Sequence, residues 1–120
     1  MDQYGLIFSN FLERRPYKLF KLKAMSIFIS AIVESKKGHS RYLKPLLYTL
    51  VNESRAEKAC LQFDLHQSIE DENIFIINEE WVEKSWFELH LQQEHVSTFI
   101  SVSENYIENK VIIYKSERIA

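Results

Sequence analysis

The apolar positions of this chain change period several times between Ser26 and Ala120, and each change marks an element. The run SIFISAIV, residues 26–33, is apolar and β-branched on both faces, the pattern of a central strand covered on both sides. KKGH then supplies a turn at Gly38, and in HSRYLKPLLYTLVNESRA the residues Leu43, Leu46, Leu47, Leu50 and Val51 form one helical stripe. Pro45 lies early in that helix, and a start near Ser40 predicts a disturbed first turn. CLQFDLHQ, residues 60–67, alternates, which predicts a strand with Leu61, Phe63 and Leu65 on one face and Gln62, Asp64 and His66 on the other. After the acidic turn SIEDEN, the run IFIINEEW predicts a third strand, with Phe75, Ile77, Glu79 and Trp81 on one face and Ile76, Asn78 and Glu80 on the other. EKSWFELHLQQEHVSTFI, residues 83–100, places Phe87, Leu91, Val96, Phe99 and Ile100 at spacings that predict a single second helix, with Trp86 and His90 beside its apolar face. NKVIIYK closes the series as a last short strand.

The order β-α-β-β-α-β predicts an α+β domain: an antiparallel sheet with the ferredoxin-like split βαβ arrangement. Such a sheet carries helices on one face only, yet its first strand is apolar on both. A second copy of the chain, packed sheet to sheet about a twofold axis, is the economical cover, so a homodimer is expected.

Charge divides the chain. Residues 1–24 hold five basic side chains, Arg14, Arg15, Lys18, Lys21 and Lys23, against Asp2 and Glu13, a net of +3. The remaining 96 residues hold 10 basic and 15 acidic side chains, a net of −5. A boundary near residue 24 follows, with 1–24 a dispensable basic extension that does not read as a secretory signal and 25–120 the folded domain; Met25 is a candidate functional start. The formal charge of −2 offers no cationic field to a phosphate backbone, so nucleic acid is not an expected partner. No window reaches the roughly 18 consecutive apolar residues of a membrane span. One cysteine, Cys60, forms no internal disulfide, which fits a reducing cytoplasm.

Three motifs follow one another in fixed order: SR-x-E-x-x-CL at Ser54, Arg55, Glu57, Cys60 and Leu61; F-x-x-x-E-x-W at Phe75, Glu79 and Trp81; and H-x-x-x-x-H-x-x-x-F at His90, His95 and Phe99. Together they resemble the antibiotic biosynthesis monooxygenase domain over about residues 26–100. Two features depart from that family: Lys58-Ala59-Cys60 stands where Pro-Gly-Cys is common, and an extension precedes Met25. The resemblance implies a dimeric α+β barrel with a pocket in each subunit between sheet and helices. It also implies oxidation of a small phenolic or quinol-like aromatic by O2, with no metal, flavin or other cofactor. Relatives of the family degrade haem or isomerise a phosphorylated signalling sugar, and the fold alone does not choose among these.

Cofactor-free oxygenation asks for a base and a dry pocket. His90, beside the apolar stripe, is the candidate base; its alternative is a core histidine bonded to backbone. Glu79, an acidic group among large apolar neighbours, is the second catalytic candidate, its alternative being a structural ion pair with Arg55. Trp81, Trp86, Phe99, Asn78 and His95 are candidate substrate contacts. The aromatics also suit the core, and His95 also suits a cap or a dimer contact, since five residues on one helix turn it about 140° away from His90. Asp64 and His66 lack a third ligand at diagnostic spacing, so no metal site is expected from spacing, and Cys60 reads as a small buried hydrophobe.

Haem breakdown would require a polar residue on the first strand, where Ile29 and Ala31 stand. The isomerase reading lacks a basic phosphate cradle. It and a non-catalytic small-molecule-binding stress-response module are the alternatives to the oxygenase.

Overall fold

The computed structural model describes residues 26–120. The expectation for residues 1–24 lies outside the described residues. Four strands, β1 (Ile27–Glu34), β2 (Cys60–Gln67), β3 (Ile74–Trp81) and β4 (Ile112–Ser116), form one antiparallel sheet in the order β2-β3-β1-β4. Between β1 and β2 runs α1 (Ser40–Arg55); between β3 and β4 run α2 (Lys84–His90), α3 (Glu94–Ser103) and a 3-10 turn at Glu104–Tyr106. This is the ferredoxin-like arrangement that the order of elements predicts. Among the described residues no helix is long and apolar enough to cross a membrane.

Strand alternation assigns the two faces. On β1, Ile29, Ala31 and Val33 are buried, and on β3 Phe75, Ile77, Glu79 and Trp81 are buried. These side chains meet Leu43, Leu47, Leu50 and Val51 of α1, Phe87 of α2, and Val96 and Phe99 of α3 in a single core. The opposite face carries Phe28, Ser30 and Ile32 of β1 in register with Glu80, Asn78 and Ile76 of β3, and no helix among the described residues covers it. β4, at the sheet's edge, is exposed along its whole length.

Three local features differ from the pattern read off the sequence. First, α1 runs unbroken through Pro45. Pro45 is exposed, and the bond its missing N–H forgoes is to the carbonyl of Arg41 on the solvated side, where water can serve. Second, a bulge between Cys60 and Gln62 shifts the register of β2 on β3. Cys60 therefore shares the helix side with its partner Trp81, and Leu61, expected to point inward with Phe63, is 51% exposed. Third, the expected single second helix is two. Gln92 N–H bonds to Leu89 O and Gln93 N–H to His90 O, closing the last turn of α2, and Gln93 is extended (ψ 149°) at the start of α3. Leu91, Gln92 and Gln93 include no glycine or proline, so packing imposes the break: α2 lies against β3, while α3 lies along α1.

Candidate active site

The break after His90 turns a spacing argument around. On one continuous helix His90 and His95 would point apart; on two helices meeting at an angle, their ring centroids lie 5.9 Å from each other. His90 is the last residue of α2 and His95 the second of α3. Glu57, in the turn between α1 and β2, joins them. Its Oε2 lies 2.6 Å from Nδ1 of His90 and 2.6 Å from Nε2 of His95. The turn that presents it is held by Glu57 N–H on Ser54 O and by Cys60 N–H on Glu57 O. Lys58 and Ala59 thus complete the connection without the Pro-Gly pair common in the family.

A carboxylate only accepts, so both imidazoles donate to it. That fixes His90 with its proton on Nδ1 and, in the neutral ring, its lone pair on Nε2. Among the described residues Nε2 has no hydrogen-bond partner. His90 is only 4% exposed, with Trp81 at 4.6 Å, Phe63 at 5.7 Å and Phe87 at 5.9 Å between ring centroids. Burial lowers its pKa below the ordinary histidine value, outweighing the bond to Glu57 that acts the other way, and the neighbouring His95 adds to the lowering. At neutral pH His90 is a neutral imidazole held in one orientation.

Glu79 lies on the same face of the sheet, with Trp81 as the common neighbour. The Trp81 indole Nε1–H donates to Glu79 Oε1 at 2.8 Å. Burial pushes the Glu79 carboxyl up to about 7; the indole bond opposes this and the charge of Glu57 reinforces it. The expected ion pair with Arg55 does not form. Arg55 reaches round the edge of the sheet, donating from Nε to Phe63 O at 2.9 Å and from Nη2 to Asp64 Oδ1 at 3.2 Å. Among the described residues Glu79 consequently has no cation to hold it ionised. Burial likewise pushes the Cys60 thiol up to about 12, with Glu79 adding to the effect, so this cysteine is a protonated spectator and not a nucleophile.

Of the residues singled out in the sequence, His90, His95, Glu79 and Trp81 come together. Phe99 lies one helical turn after His95, buried in the core against α1. Trp86 sits on α2, 38% exposed. Asn78 is not brought to the site: it projects from the opposite face of β3, where its amide lies 3.4 Å from His66 Nδ1. Phe63 and Phe87 complete the aromatic wall. Glu57 is the residue whose role sequence reasoning missed. It stood in the first motif, but 33 and 38 residues separate it from the histidines it joins, and no periodicity signals such a contact.

Comparison with known proteins bears on this geometry. The family model for antibiotic biosynthesis monooxygenase matches residues 26–102, which takes in every residue of the cluster. The Bacillus subtilis (strain 168) protein named "Putative monooxygenase YcnE" is 26% identical over 91 residues, covering 76% of this chain and 96% of that protein. Among solved structures, PA3566 from Pseudomonas aeruginosa superposes with a TM-score of 0.76 at 34% identity, over 82% of this chain and 98% of its own. A conserved protein from Methanosarcina mazei Go1 shares the fold at 18% identity, with a TM-score of 0.77 over 84% of this chain and 100% of its own. With its four-stranded antiparallel sheet, its one-sided layer of helices and a family match spanning the site, this chain belongs to the antibiotic biosynthesis monooxygenase family.

Proposed function

We propose that the chain is a cofactor-independent monooxygenase that oxidises a small phenolic or quinol-like aromatic with O2, using His90 as the base. The observation that carries this reading is the bond from His90 Nδ1–H to Glu57, which leaves a neutral ring with its lone pair on Nε2 among aromatic side chains. In this scheme Nε2 takes the acidic proton of the substrate, and the resulting anion is electron-rich enough to reduce O2 itself. For a ring CH2 beside a phenol, the carbon loses two hydrogens and gains one oxygen as C=O, while the second oxygen leaves as water. The substrate supplies all the electrons. Glu79, protonated over much of the neutral range, donates a hydrogen bond to the developing oxyanion, and the Trp81 indole keeps its carboxyl in place.

The test is oxygen uptake by chelator-treated, cofactor-stripped protein with a panel of quinols and anthrone-like phenols. Turnover of any member supports the reading, and a protein that retains an aromatic ligand while consuming no oxygen is a binding module instead. An isomerase would act on a phosphorylated sugar without oxygen.

The active unit in this reading is a homodimer joined through the uncovered face of the sheet. Phe28, Ile32 and Ile76 stand half-buried there beside Ile112 and Tyr114, 49% and 62% exposed, apolar side chains set around Ser30 and Asn78 on a face that can close a barrel against its copy. Sedimentation at micromolar concentration is expected to give about twice the chain mass of 14.3 kDa. A stable monomer at that concentration counts against the barrel.

A further inference from the structure

We propose that Glu57, His90 and His95 form a binding site for one divalent transition-metal ion of the zinc, cobalt or nickel type. The three donor atoms, Glu57 Oε2, His90 Nδ1 and His95 Nε2, all lie within 4.8 Å of one another, and the oxygen is 2.6 Å from each nitrogen. Two imidazole nitrogens with one carboxylate oxygen are a donor set that suits these ions, and three protein ligands leave a coordination position open. Around an ion with bonds of roughly 2.0–2.2 Å, tetrahedral donors stand about 3.3 Å apart. The protons now shared with Glu57 occupy the space the ion would take. Filling it requires each nitrogen to move off the oxygen by less than about 1 Å and the two rings to close toward each other.

The fold is built for that adjustment. The two histidines flank the Leu91–Gln93 break, so their rings can approach by a small change of angle between α2 and α3 without unwinding either helix. His90 is clamped by Trp81, Phe63 and Phe87, and the Glu57 turn is fixed by its backbone bonds, which preorganises two of the three ligands. The third, His95, and Glu57 itself have side chains 16% and 15% exposed, which gives an ion a way in. The other histidine–carboxylate juxtaposition, Asp64 and His66 on the uncovered face, has no such third ligand among the described residues.

Occupancy has a consequence for turnover that rests on the proposed function. A ring bound to metal through Nδ1 carries its proton on Nε2, so His90 becomes a donor where the reaction needs an acceptor. The ion is therefore an inhibitor of this site and not its cofactor.

The experiment titrates metal-stripped full-length protein with ZnCl2 against a chromogenic chelator, and with CoCl2 followed by visible absorption. One zinc per chain at micromolar or tighter affinity is expected, with cobalt bands of nitrogen and oxygen coordination that zinc displaces. Glu57→Gln and His95→Gln should each weaken zinc binding at least tenfold, and His66→Gln should leave it unchanged. Thermal midpoints taken in chelator establish which variants are folded; if Glu57→Gln is not, His95→Gln and the wild-type cobalt spectrum decide. Absence of stoichiometric binding, or binding undiminished in His95→Gln, overturns the site and leaves the proposed oxygenase standing. Zinc that binds without suppressing oxygen uptake overturns the assignment of His90 Nδ1 as a ligand. A metal-free protein that consumes no oxygen with any substrate overturns the proposed function and leaves the metal site intact.

Discussion

Glu79 and Glu80 are neighbours on β3 that the pleat sends to opposite faces of the sheet, and the two faces treat them differently. Glu79 enters the core among Trp81, Ile77 and Phe63, with the Trp81 indole as its bond partner and no cation among the described residues, and burial pushes it up to about 7. Glu80 faces the uncovered side. Burial raises its pKa too, but the Ser26 hydroxyl donates to it at 2.6 Å and the guanidinium of Arg118 stands nearby, and both favour the ionised form. The helix side holds the carboxylate that is expensive to ionise and gathers the histidines beside it. The open side compensates its carboxylate with the Ser26 hydroxyl and the Arg118 guanidinium. A costly ionised state on one face and a compensated one on the other is what the proposed site, set against the proposed sheet-to-sheet contact, calls for.

The sharpest way to break this comparison is at His90. His90→Gln keeps a polar side chain able to bond Glu57 but removes the basic Nε2. Turnover should fall by at least the ~10²-fold typical of a positioned general base, with the oligomer mass unchanged. The assay is steady-state oxygen uptake beside sedimentation. Wild-type turnover in the variant would return His90 to the role of a bonded core histidine. Loss of activity confined to Glu79→Gln, in a folded protein, would move the acid–base role to β3.

Next in size is the effect of Glu79 on stability. Its pKa is 4.5 when unfolded and about 7 when folded, so the native state holds the extra proton between those values. Stability from this group is full below pH 4.5 and is lost as pH rises through 7. Glu79→Gln keeps an oxygen for the indole N–H and removes the titration. It should therefore raise the unfolding free energy at pH 8 by on the order of 3 to 3.5 kcal/mol, at about 1.4 kcal/mol per pKa unit. At pH 4.5 it should change little. Urea unfolding at the two pH values measures the difference, and a gain that does not depend on pH would mean that Glu79 is not the buried acid described here.

How much of this was legible in the sequence follows from the range of each interaction. The alternation of IFIINEEW placed Glu79 and Trp81 together on one face, because adjacent pleats obey a strict period of two. The stripe from Leu43 to Val51 placed α1 for the same kind of local reason. Leu61 was misplaced because a bulge inserts one residue and flips every side chain before it, with no glycine to announce it. His95 was assigned away from His90 because the helix break at Leu91–Gln93 comes from packing on two different elements. The Arg55–Glu79 pair was inferred from charge alone, while the guanidinium found its partners in the carbonyl of Phe63 and in Asp64 at the sheet's edge. Glu57 was visible in a motif but not as the bridge between two histidines, since that contact exists only once α1, α2 and α3 converge.

The smallest expected effect sharpens the other side of the comparison. The Ser26 hydroxyl, itself buried, donates to Glu80 Oε2, and this bond lowers a pKa that burial raises. Ser26→Ala removes the donor and leaves a half-buried carboxylate with Arg118, among the described residues, to offset its charge. A hydrogen bond to an ionised group contributes roughly 1–2 kcal/mol net, so the variant should lose about that much stability where Glu80 is ionised. The sign with pH is fixed: the folded pKa of Glu80 rises further in the variant, so the deficit is small at pH 4.5 and below, where the folded acid is protonated in both proteins, and grows as pH rises through the folded value. Measured against Glu79→Gln, the two substitutions should move stability at pH 8 in opposite directions, although their targets are adjacent acidic residues on one strand. A deficit of the same size at both pH values would show that the Ser26 contact acts by packing alone and that the open face does not compensate its charge.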